Sequence, residues 1–134
     1  MASTAADALD IRAPEDVVRV RQSVREAAVS LGFSIVDQTK LVTAASELAR
    51  NALTHGGGGR FRLDVLGAGS RDGLRLVFED EGPGIADVEQ ALRDGFTTGS
   101  GLGLGLGGAR RLVNEFEIDT QPGEGTRVTA TRWR

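Results

Sequence analysis

The chain of 134 residues contains no cysteine. A disulfide framework, a thiolate zinc site and a thiol nucleophile are therefore excluded. Lysine occurs only once, at Lys40. No apolar run is as long as a membrane span, and residues 1–8 lack the basic start and apolar core of a signal peptide. The net charge of −3 does not favour a nucleic-acid surface. We expect a cytoplasmic protein without membrane or nucleic-acid partners, with a flexible tail at 1–8 and one domain at 9–134.

Glycine is abundant, with 19 residues, and glycines alternate with leucines over residues 101–107. A glycine has no Cβ, so a phosphate can approach its backbone closely. The bare N–H groups of such a loop, followed by the start of a helix, favour an anion. Leucines at every second position suggest anchors that hold a mobile loop on an apolar surface. The stretch therefore predicts a phosphate-binding lid.

Apolar periodicity divides the rest of the chain into helices and strands. We expect helices over 14–31, 37–54 and 108–115, one or two helical turns over 87–93, and strands near 9–13, 61–65, 74–78, 116–118 and 127–133. Residues 67–72 are expected to be a turn that joins two strands of a hairpin. The predicted fold is an α/β (α+β) two-layer sandwich with helices on one face of a mixed, largely antiparallel sheet.

The common phosphate-binding motifs do not fit the glycine loop. Residues 103–108 satisfy the dinucleotide pattern G-x-G-x-x-G, but no strand directly precedes them. A Walker P-loop needs a lysine after its last glycine, and Lys40 lies far away on a predicted helix. The eukaryotic kinase layout also needs a lysine near the phosphates. It needs a His-Arg-Asp loop as well, and the chain has no such loop.

Four short motifs together point to another class of nucleotide site. They are Glu-Leu-Ala-Arg-Asn at 47–51, Asp-Glu-Gly-Pro-Gly at 80–84, Gly-Leu-Gly-Leu-Gly at 101–105 and Gly-Glu-Gly-Thr at 123–126. Their order and spacing over about residues 36–133 resemble the N, G1, G2 and G3 boxes of the Bergerat-type ATPases. That superfamily includes DNA gyrase, Hsp90, histidine kinases and MutL. The resemblance implies a Bergerat fold that binds ATP or ADP with Mg²⁺.

The resemblance assigns catalytic roles to the second predicted helix. Asn51 would hold Mg²⁺ through its side-chain oxygen, since Mg²⁺ prefers oxygen ligands and keeps several waters. Glu47 would be the general base for the acceptor hydroxyl, or would orient that hydroxyl. The alternatives are an exposed helical asparagine and a surface glutamate. His55 extends the same helical row, where it would approach a phosphate or cap the helix C-terminus.

The resemblance also assigns the nucleotide contacts. Asp80 would accept a hydrogen bond from the adenine amino group, with Thr126 adding a hydroxyl near the base. The other ATP-binding positions implied are Gly82, Gly84, Ile85, Thr97, Thr98, Gly101, Leu102, Gly103, Leu104 and Gly105. Gly82 and Gly84 would let the backbone pass close to the base, and the glycines from Gly101 would cradle the phosphates. Thr97 and Thr98 are either hydroxyl donors or solvated lid residues.

Within the superfamily, the chain is most similar to stand-alone serine/threonine kinases that regulate bacterial sigma factors. Residues 94–98 and 108–116 resemble the switch kinases of stressosomes, whereas residues 51–56 fit both branches of the family. A switch kinase would phosphorylate STAS-domain antagonist or scaffold proteins and, on release, activate a PP2C-type phosphatase. The rival is an anti-sigma factor that binds a sigma factor and phosphorylates an anti-anti-sigma STAS protein. A third possibility, nucleotide binding only as a conformational signal, is disfavoured by the presence of Glu47 and Asn51.

Overall fold

The computed structural model of the protein describes residues 2–68, 71–93 and 105–134. The strands in these ranges are β1 (Ala2–Ile11), β2 (Gly59–Ala68), β3 (Arg71–Asp80), β4 (Glu115–Gln121) and β5 (Gly125–Trp133). The helices are α1 (Pro14–Ser30), α2 (Ile35–Thr54), α3 (Val88–Ala91) and α4 (Gly105–Arg111). None of these helices is long and apolar enough to cross a membrane.

The strands form one sheet in the order β1-β2-β3-β5-β4, and every described pairing is antiparallel. The predicted α/β sandwich is therefore confirmed, but the sheet is not mixed. A parallel pair needs a single crossover, usually one helix, between its strands. Here two successive helices separate β1 from β2, and the extra reversal makes β2 run antiparallel to β1. Hairpins join β2 to β3 and β4 to β5.

Strand β1 begins earlier than the sequence suggests. Residues 2–8, expected to be a tail, pair with β2 in a register that joins Leu9 to Phe61 and shifts between Ala5 and Asp7. The Ser23 hydroxyl of α1 also donates to Asp7 Oδ2 at 2.6 Å. The segment is rich in small residues, so it carries little alternation of its own. Its conformation comes from pairing with a distant strand, and the expectation of a tail is wrong here.

Helix α1 starts at Pro14, as the sequence predicts, and ends at Ser30, one residue before the predicted end. Pro14 is its first residue, where a missing N–H costs no hydrogen bond. After the last turn, Gly32 has φ 81° and donates its N–H to the Val29 oxygen, while the Phe33 N–H donates to the Ala28 oxygen. This pair of bonds is a Schellman motif, which turns the chain sharply into α2.

The core lies between one face of the sheet and the helices α1 and α2. Phe61 and Phe78, on neighbouring strands, have ring centroids 5.1 Å apart. Other fully buried residues of this layer include Val20, Val24, Leu41, Leu48, Leu63, Leu74 and Leu76. Because α2 packs its apolar stripe on this face, its C-terminal end is fixed beside the end of β3.

Other element boundaries also differ from the sequence-based expectation, as at the β2–β3 connection and at helix α4. Strand β2 extends to Ala68 and strand β3 begins at Arg71, so the connection between them is shorter than the predicted turn at 67–72. Helix α4 starts at Gly105 and ends at Arg111, whereas the prediction was 108–115. Leu106 and Ala109 are both buried, and their spacing of one turn places the start of the apolar helical face before residue 108.

Candidate active site

A cavity of about 430 Å³ opens where the end of β3 meets the C-terminal end of α2. Helix α3, the start of α4 and strand β5 supply its other walls. Most of the lining is apolar, and it includes Leu48, Ala52, Phe78, Ile85, Ala91, Leu106 and Val128. The polar lining includes Asn51, His55, Asp80, Asp87, Gln90 and Thr126. An apolar cavity of this size with a few converging polar groups is typical of a small-molecule site.

Asp80 is the half-buried carboxylate of this cavity. It is the last residue of β3, and it lies between Gly59 of β2 and Thr126 of β5 in the sheet register. The Gly82 N–H donates to its Oδ1 at 2.9 Å. Burial raises the pKa of Asp80, and this effect outweighs the opposing N–H groups of Gly82 and Thr126 and the nearby His55. The carboxylate is therefore held in a place that disfavours its charge, as is common in functional sites.

The loop after β3 is packed too closely for side chains at two of its glycines. Gly84 has φ 78°, and a Cβ there would lie 2.4 Å from the Gln121 oxygen. A Cβ at Gly82 would lie 2.6 Å from the Gly56 Cα. The Pro83 oxygen also accepts the Gly123 N–H at 2.7 Å, which ties this loop to the β4–β5 turn. The two glycines therefore bring backbone against the cavity where the sequence analysis expects the nucleotide base.

Thr126 belongs to a small hydroxyl network beside Asp80. Its Oγ1 lies 2.9 Å from Thr120 Oγ1. Thr120 donates its only hydroxyl proton to the Gly125 oxygen and accepts the Ile85 N–H. Either hydroxyl can be the donor in the Thr120–Thr126 pair. When Thr120 donates to the Gly125 oxygen, Thr126 is the donor of the pair and keeps its oxygen lone pairs as acceptors. The network also fixes the backbone of Ile85, which lines the same cavity.

The last two turns of α2 carry the row of polar residues that the sequence singles out. Asn51 lines the cavity, and its backbone oxygen accepts N–H groups from His55 and Gly56 at 2.9 and 3.2 Å. His55 is the C-cap residue of the helix and also lines the cavity. Glu47 lies one turn earlier and is only 4% exposed. Its Oε1 accepts a bond from Arg50 Nη1 at 3.0 Å, and Glu47 is not part of the cavity lining.

The structure thus brings together part of the predicted site. The predicted residues Asn51, Asp80, Gly84, Ile85, Gly105 and Thr126 line one cavity. Gly82 contacts Asp80 from outside the lining. Thr97, Thr98, Gly101, Leu102, Gly103 and Leu104 lie outside the described residues. Sequence reasoning missed Gly56 and Gln90, which also line the cavity. Gly56 ends the stretch 51–56 that fits both branches of the family, but no role in the site was assigned to it, and Gln90 carries no motif.

The arrangement favours a flat heteroaromatic base that carries an amino donor. The apolar walls suit the faces of such a ring, while Asp80 offers a fixed acceptor at its edge. Among the residues of 2–68, 71–93 and 105–134, no cluster of three His, Asp or Glu side chains could hold a metal ion. A metal at this site would therefore take most of its ligands from a bound phosphate and from water.

Comparisons with known proteins assign the chain to one family. The family of histidine kinase-, DNA gyrase B- and HSP90-like ATPases matches residues 36–133. The chain therefore belongs to this ATPase family. The match covers α2 and the glycine-containing segments that follow β3 and precede β5, so the four sequence motifs and the cavity lie within it.

Curated relatives narrow the class to protein kinases. The chain is 43% identical to the serine/threonine-protein kinase RsbT of Bacillus subtilis (strain 168) over 118 residues, which are 88% of this chain and 89% of that protein. It is 33% identical to the anti-sigma F factor of Halalkalibacterium halodurans over 113 residues, which are 81% of this chain and 77% of that protein. These matches confirm the expected resemblance and the expected enzyme class, an ATP-binding protein serine/threonine kinase of the partner-switching kind.

Solved structures agree on the fold. The RsbU and RsbW domains of a Mycobacterium tuberculosis protein superimpose with a TM-score of 0.60 at 24% identity, covering 96% of this chain and 33% of that chain. The mycobacterial sensor histidine kinase MprB gives a TM-score of 0.55 at 23% identity, covering 94% of this chain and 95% of that chain. At this level of identity, the two neighbours support the Bergerat-type fold alone.

Proposed function

We propose that this kinase uses ATP and Mg²⁺ to phosphorylate a serine or threonine of a STAS-domain antagonist or scaffold protein. On release from that protein, it would bind and activate a PP2C-type phosphatase in stress signalling. This function requires ATP and therefore places the enzyme in the cytoplasm. The observation that carries the proposal is the Asp80 carboxylate at the edge of an apolar cavity, in a chain 43% identical to a serine/threonine-protein kinase.

In this proposal Asp80 selects adenine. Its carboxylate accepts a hydrogen bond from the exocyclic amino group, and Thr126 adds an acceptor beside it. The ring faces pack on apolar side chains such as Phe78, Ile85 and Val128, which line the cavity. A hydrogen bond to a charged acceptor is worth about 1.5–3 kcal/mol, so a base without the amino group would bind more weakly.

The phosphates would lie toward the C-terminal end of α2. Asn51 lines the cavity there, and its side-chain oxygen would be the protein ligand of Mg²⁺. A bound Mg²⁺ would neutralise charge that develops on the phosphates during transfer. An amide oxygen suits this hard ion, and the rest of its shell would be phosphate oxygens and water. The loop at 101–105, with Thr97 and Thr98, would enclose the phosphates.

Glu47 would act on the acceptor hydroxyl of the protein substrate. Glu47 lies one turn before Asn51 on the same helix, although it is not part of the cavity lining. The bond from Arg50 holds it in one orientation, at 3.0 Å. Because phosphoryl transfer depends mainly on positioning and charge stabilisation, such a fixed carboxylate can orient the attacking oxygen without complete deprotonation.

A second candidate function follows from the anti-sigma F relatives, one of which is 33% identical to this chain. Under this alternative, the protein would bind a sigma factor and phosphorylate an anti-anti-sigma STAS protein. The catalytic site would be the same in both cases. The two functions therefore differ in the partner that is held when the kinase is not engaged with its substrate.

The test has two parts. Purified protein is incubated with γ-labelled ATP, Mg²⁺ and candidate STAS proteins, and label transfer to a serine or threonine is expected. A pull-down from cell extract then identifies the resting partner. A PP2C-type phosphatase with a STAS assembly supports the switch kinase, whereas a sigma subunit supports the alternative. Transfer to no STAS protein, together with no binding of ATP, would refute both.

A further inference from the structure

Gly56 contacts the adenine-selecting carboxylate from the side of α2. It lies just beyond the C-terminal end of that helix and lines the cavity. A Cβ at Gly56 would lie 2.4 Å from Asp80 Cγ and 2.5 Å from Asp80 Cβ. Real Cβ atoms do not approach other atoms so closely, so any side chain here would displace the Asp80 side chain or the end of the helix.

Gly82 also lies against the carboxylate, next to Gly56. The Gly82 N–H donates to Asp80 Oδ1 at 2.9 Å. A Cβ at Gly82 would lie 3.1 Å from that oxygen and 2.6 Å from the Gly56 Cα. The carboxyl group thus lies against the bare Cα atoms of two glycines, which also contact each other. On the side of these glycines, the carboxyl group leaves no room for a further side-chain atom.

Gly56 itself cannot easily move aside. Its N–H donates to the Asn51 oxygen at 3.2 Å, and the Gly58 N–H donates to the Ala52 oxygen at 2.9 Å. A Cβ at Gly56 would also lie 2.7 Å from that Ala52 oxygen. The backbone at the end of α2 is therefore bonded in place, so a substitution would be absorbed mainly by Asp80.

Ending the helix does not explain the glycine at this position. Positive φ angles occur at the next two residues, with 73° at Gly57 and 111° at Gly58, but not at Gly56. A side chain at Gly56 is thus compatible with the backbone angles, and the close contacts alone oppose it. The requirement for glycine here comes from what lies against it, chiefly Asp80.

We propose that Gly56 is a specificity-determining residue, which positions the Asp80 carboxylate for the base by having no side chain. The inference rests on the proposed role of Asp80 in binding the adenine amino group. Gly56 touches Asp80 rather than taking part in phosphoryl transfer, so it acts on nucleotide choice. It also joins the end of α2, which carries Asn51, to the base-selecting end of β3.

The test compares two nucleotides in wild type and Gly56→Ala. Inosine triphosphate carries a carbonyl oxygen where ATP carries the amino group, so its base cannot donate to Asp80 from that position, and the oxygen would face the carboxylate. We expect wild type to prefer ATP over inosine triphosphate in calorimetric titrations. In Gly56→Ala the affinity for ATP falls about tenfold or more. Its affinity for inosine triphosphate changes much less, so the preference largely disappears.

A matched control separates this effect from general damage. A Cβ at Gly73 would lie 2.6 Å from Trp133 Cε3, a comparable clash at the other end of β3. Gly73→Ala is expected to lower the melting temperature while keeping the wild-type nucleotide preference. Equal losses of affinity for both nucleotides in Gly56→Ala would make its effect merely structural and would overturn the inference.

The outcomes distinguish this inference from the proposed function. If wild type itself shows no preference, the role of Asp80 is wrong. If wild type shows the preference and folded Gly56→Ala keeps it, the inference about Gly56 is wrong. If Gly56→Ala does not fold, it is combined with Asp80→Gly, which removes both clashing atoms of Asp80. Folding should then be recovered because Asp80 supplies the two closest contacts, although a Cβ at Gly56 would still lie 2.7 Å from the Ala52 oxygen. A pair that stays unfolded while Asp80→Gly folds alone would overturn the inference.

Discussion

The substitution Asp80→Asn should affect stability and nucleotide binding in opposite directions. Asparagine has nearly the same shape, and its carbonyl oxygen can still accept the Gly82 N–H that now lies 2.9 Å from Oδ1. Burial raises the pKa of Asp80 above the ordinary value of 3.8. The folded state therefore holds this proton more tightly than the unfolded state does, and ionisation at neutral pH costs stability.

The sign of the pH dependence follows from this shift. As pH rises from about 3.8 through the raised pKa, the folded state binds more protons than the unfolded state, so the free energy of unfolding falls. Above the raised pKa of Asp80, this loss of unfolding free energy is complete. Without nucleotide, Asp80→Asn should therefore be at least as stable as wild type at pH 7. The stability advantage of Asp80→Asn over wild type should disappear as the pH is lowered toward 3.8, the ordinary pKa of an aspartate.

Saturating ATP should reverse the order of stability of wild type and Asp80→Asn. Loss of a hydrogen bond to a charged acceptor costs about 1.5–3 kcal/mol, which is roughly a 10- to 150-fold loss of ATP affinity. Ligand stabilisation falls by about 1.4 kcal/mol for each tenfold loss when ATP is in large excess. Wild type should therefore gain more from saturating ATP than Asp80→Asn does.

Urea unfolding at several pH values, with and without ATP, measures both effects, and calorimetry gives the ATP affinity. A variant that is clearly less stable than wild type at pH 7 without nucleotide would show that the ionised carboxylate stabilises the fold. That result would refute burial as the dominant influence on Asp80. A variant that binds ATP as wild type does would refute its role in base recognition.

Four further substitutions test Glu47, two loop glycines and one ion pair outside the cavity. Glu47→Ala should bind ATP normally but lose at least about 100-fold in phosphotransfer to a STAS protein, and unchanged transfer would reject its catalytic role. Gly123 and Gly84 have φ angles of 81° and 78°. Gly123→Ala meets no atom within 4 Å and should cost only the backbone strain of about 1–2 kcal/mol. Gly84→Ala adds a backbone clash, so denaturation should show a larger loss, and equal losses would contradict that contact. Arg132→Ala removes a bond of 2.7 Å to Asp37 and should lower the free energy of unfolding by about 1–3 kcal/mol; prior removal of the Asp37 carboxylate should reduce that loss.

Helices α1 and α2 could be predicted because their signals are local. Pro14 and Gly32 mark the ends of α1, and apolar residues recur at helical spacing between them. Strand β1 could not be predicted to its full length, since residues 2–8 are held by pairing with β2 far along the chain. The antiparallel direction of the sheet likewise depends on how many helices connect two strands.

The candidate site also contains residues that the sequence predicts and contacts that it could not predict. Asn51 and Asp80 belong to recognisable motifs, and the structure brings both to one cavity. Glu47 was also singled out by its motif, but its bond to Arg50 depends on side-chain rotamers that no motif specifies. Gly56 belongs to a glycine run that reads as a helix end, and its contact with Asp80 exists only when α2 is packed beside β3.

In the proposed site, these contacts would make the end of α2 a shared support for both ends of a bound nucleotide. The Asn51 backbone oxygen accepts the Gly56 N–H, so the proposed metal ligand and the residue that confines Asp80 are one hydrogen bond apart. A shift of this last turn would therefore disturb metal binding and base selection together. Coupling of this kind requires a rigid helix end, and the burial of Leu48 and Ala52 beneath the turn supplies that rigidity. A tightly packed interior thus lets one short segment set the geometry of two chemically different contacts.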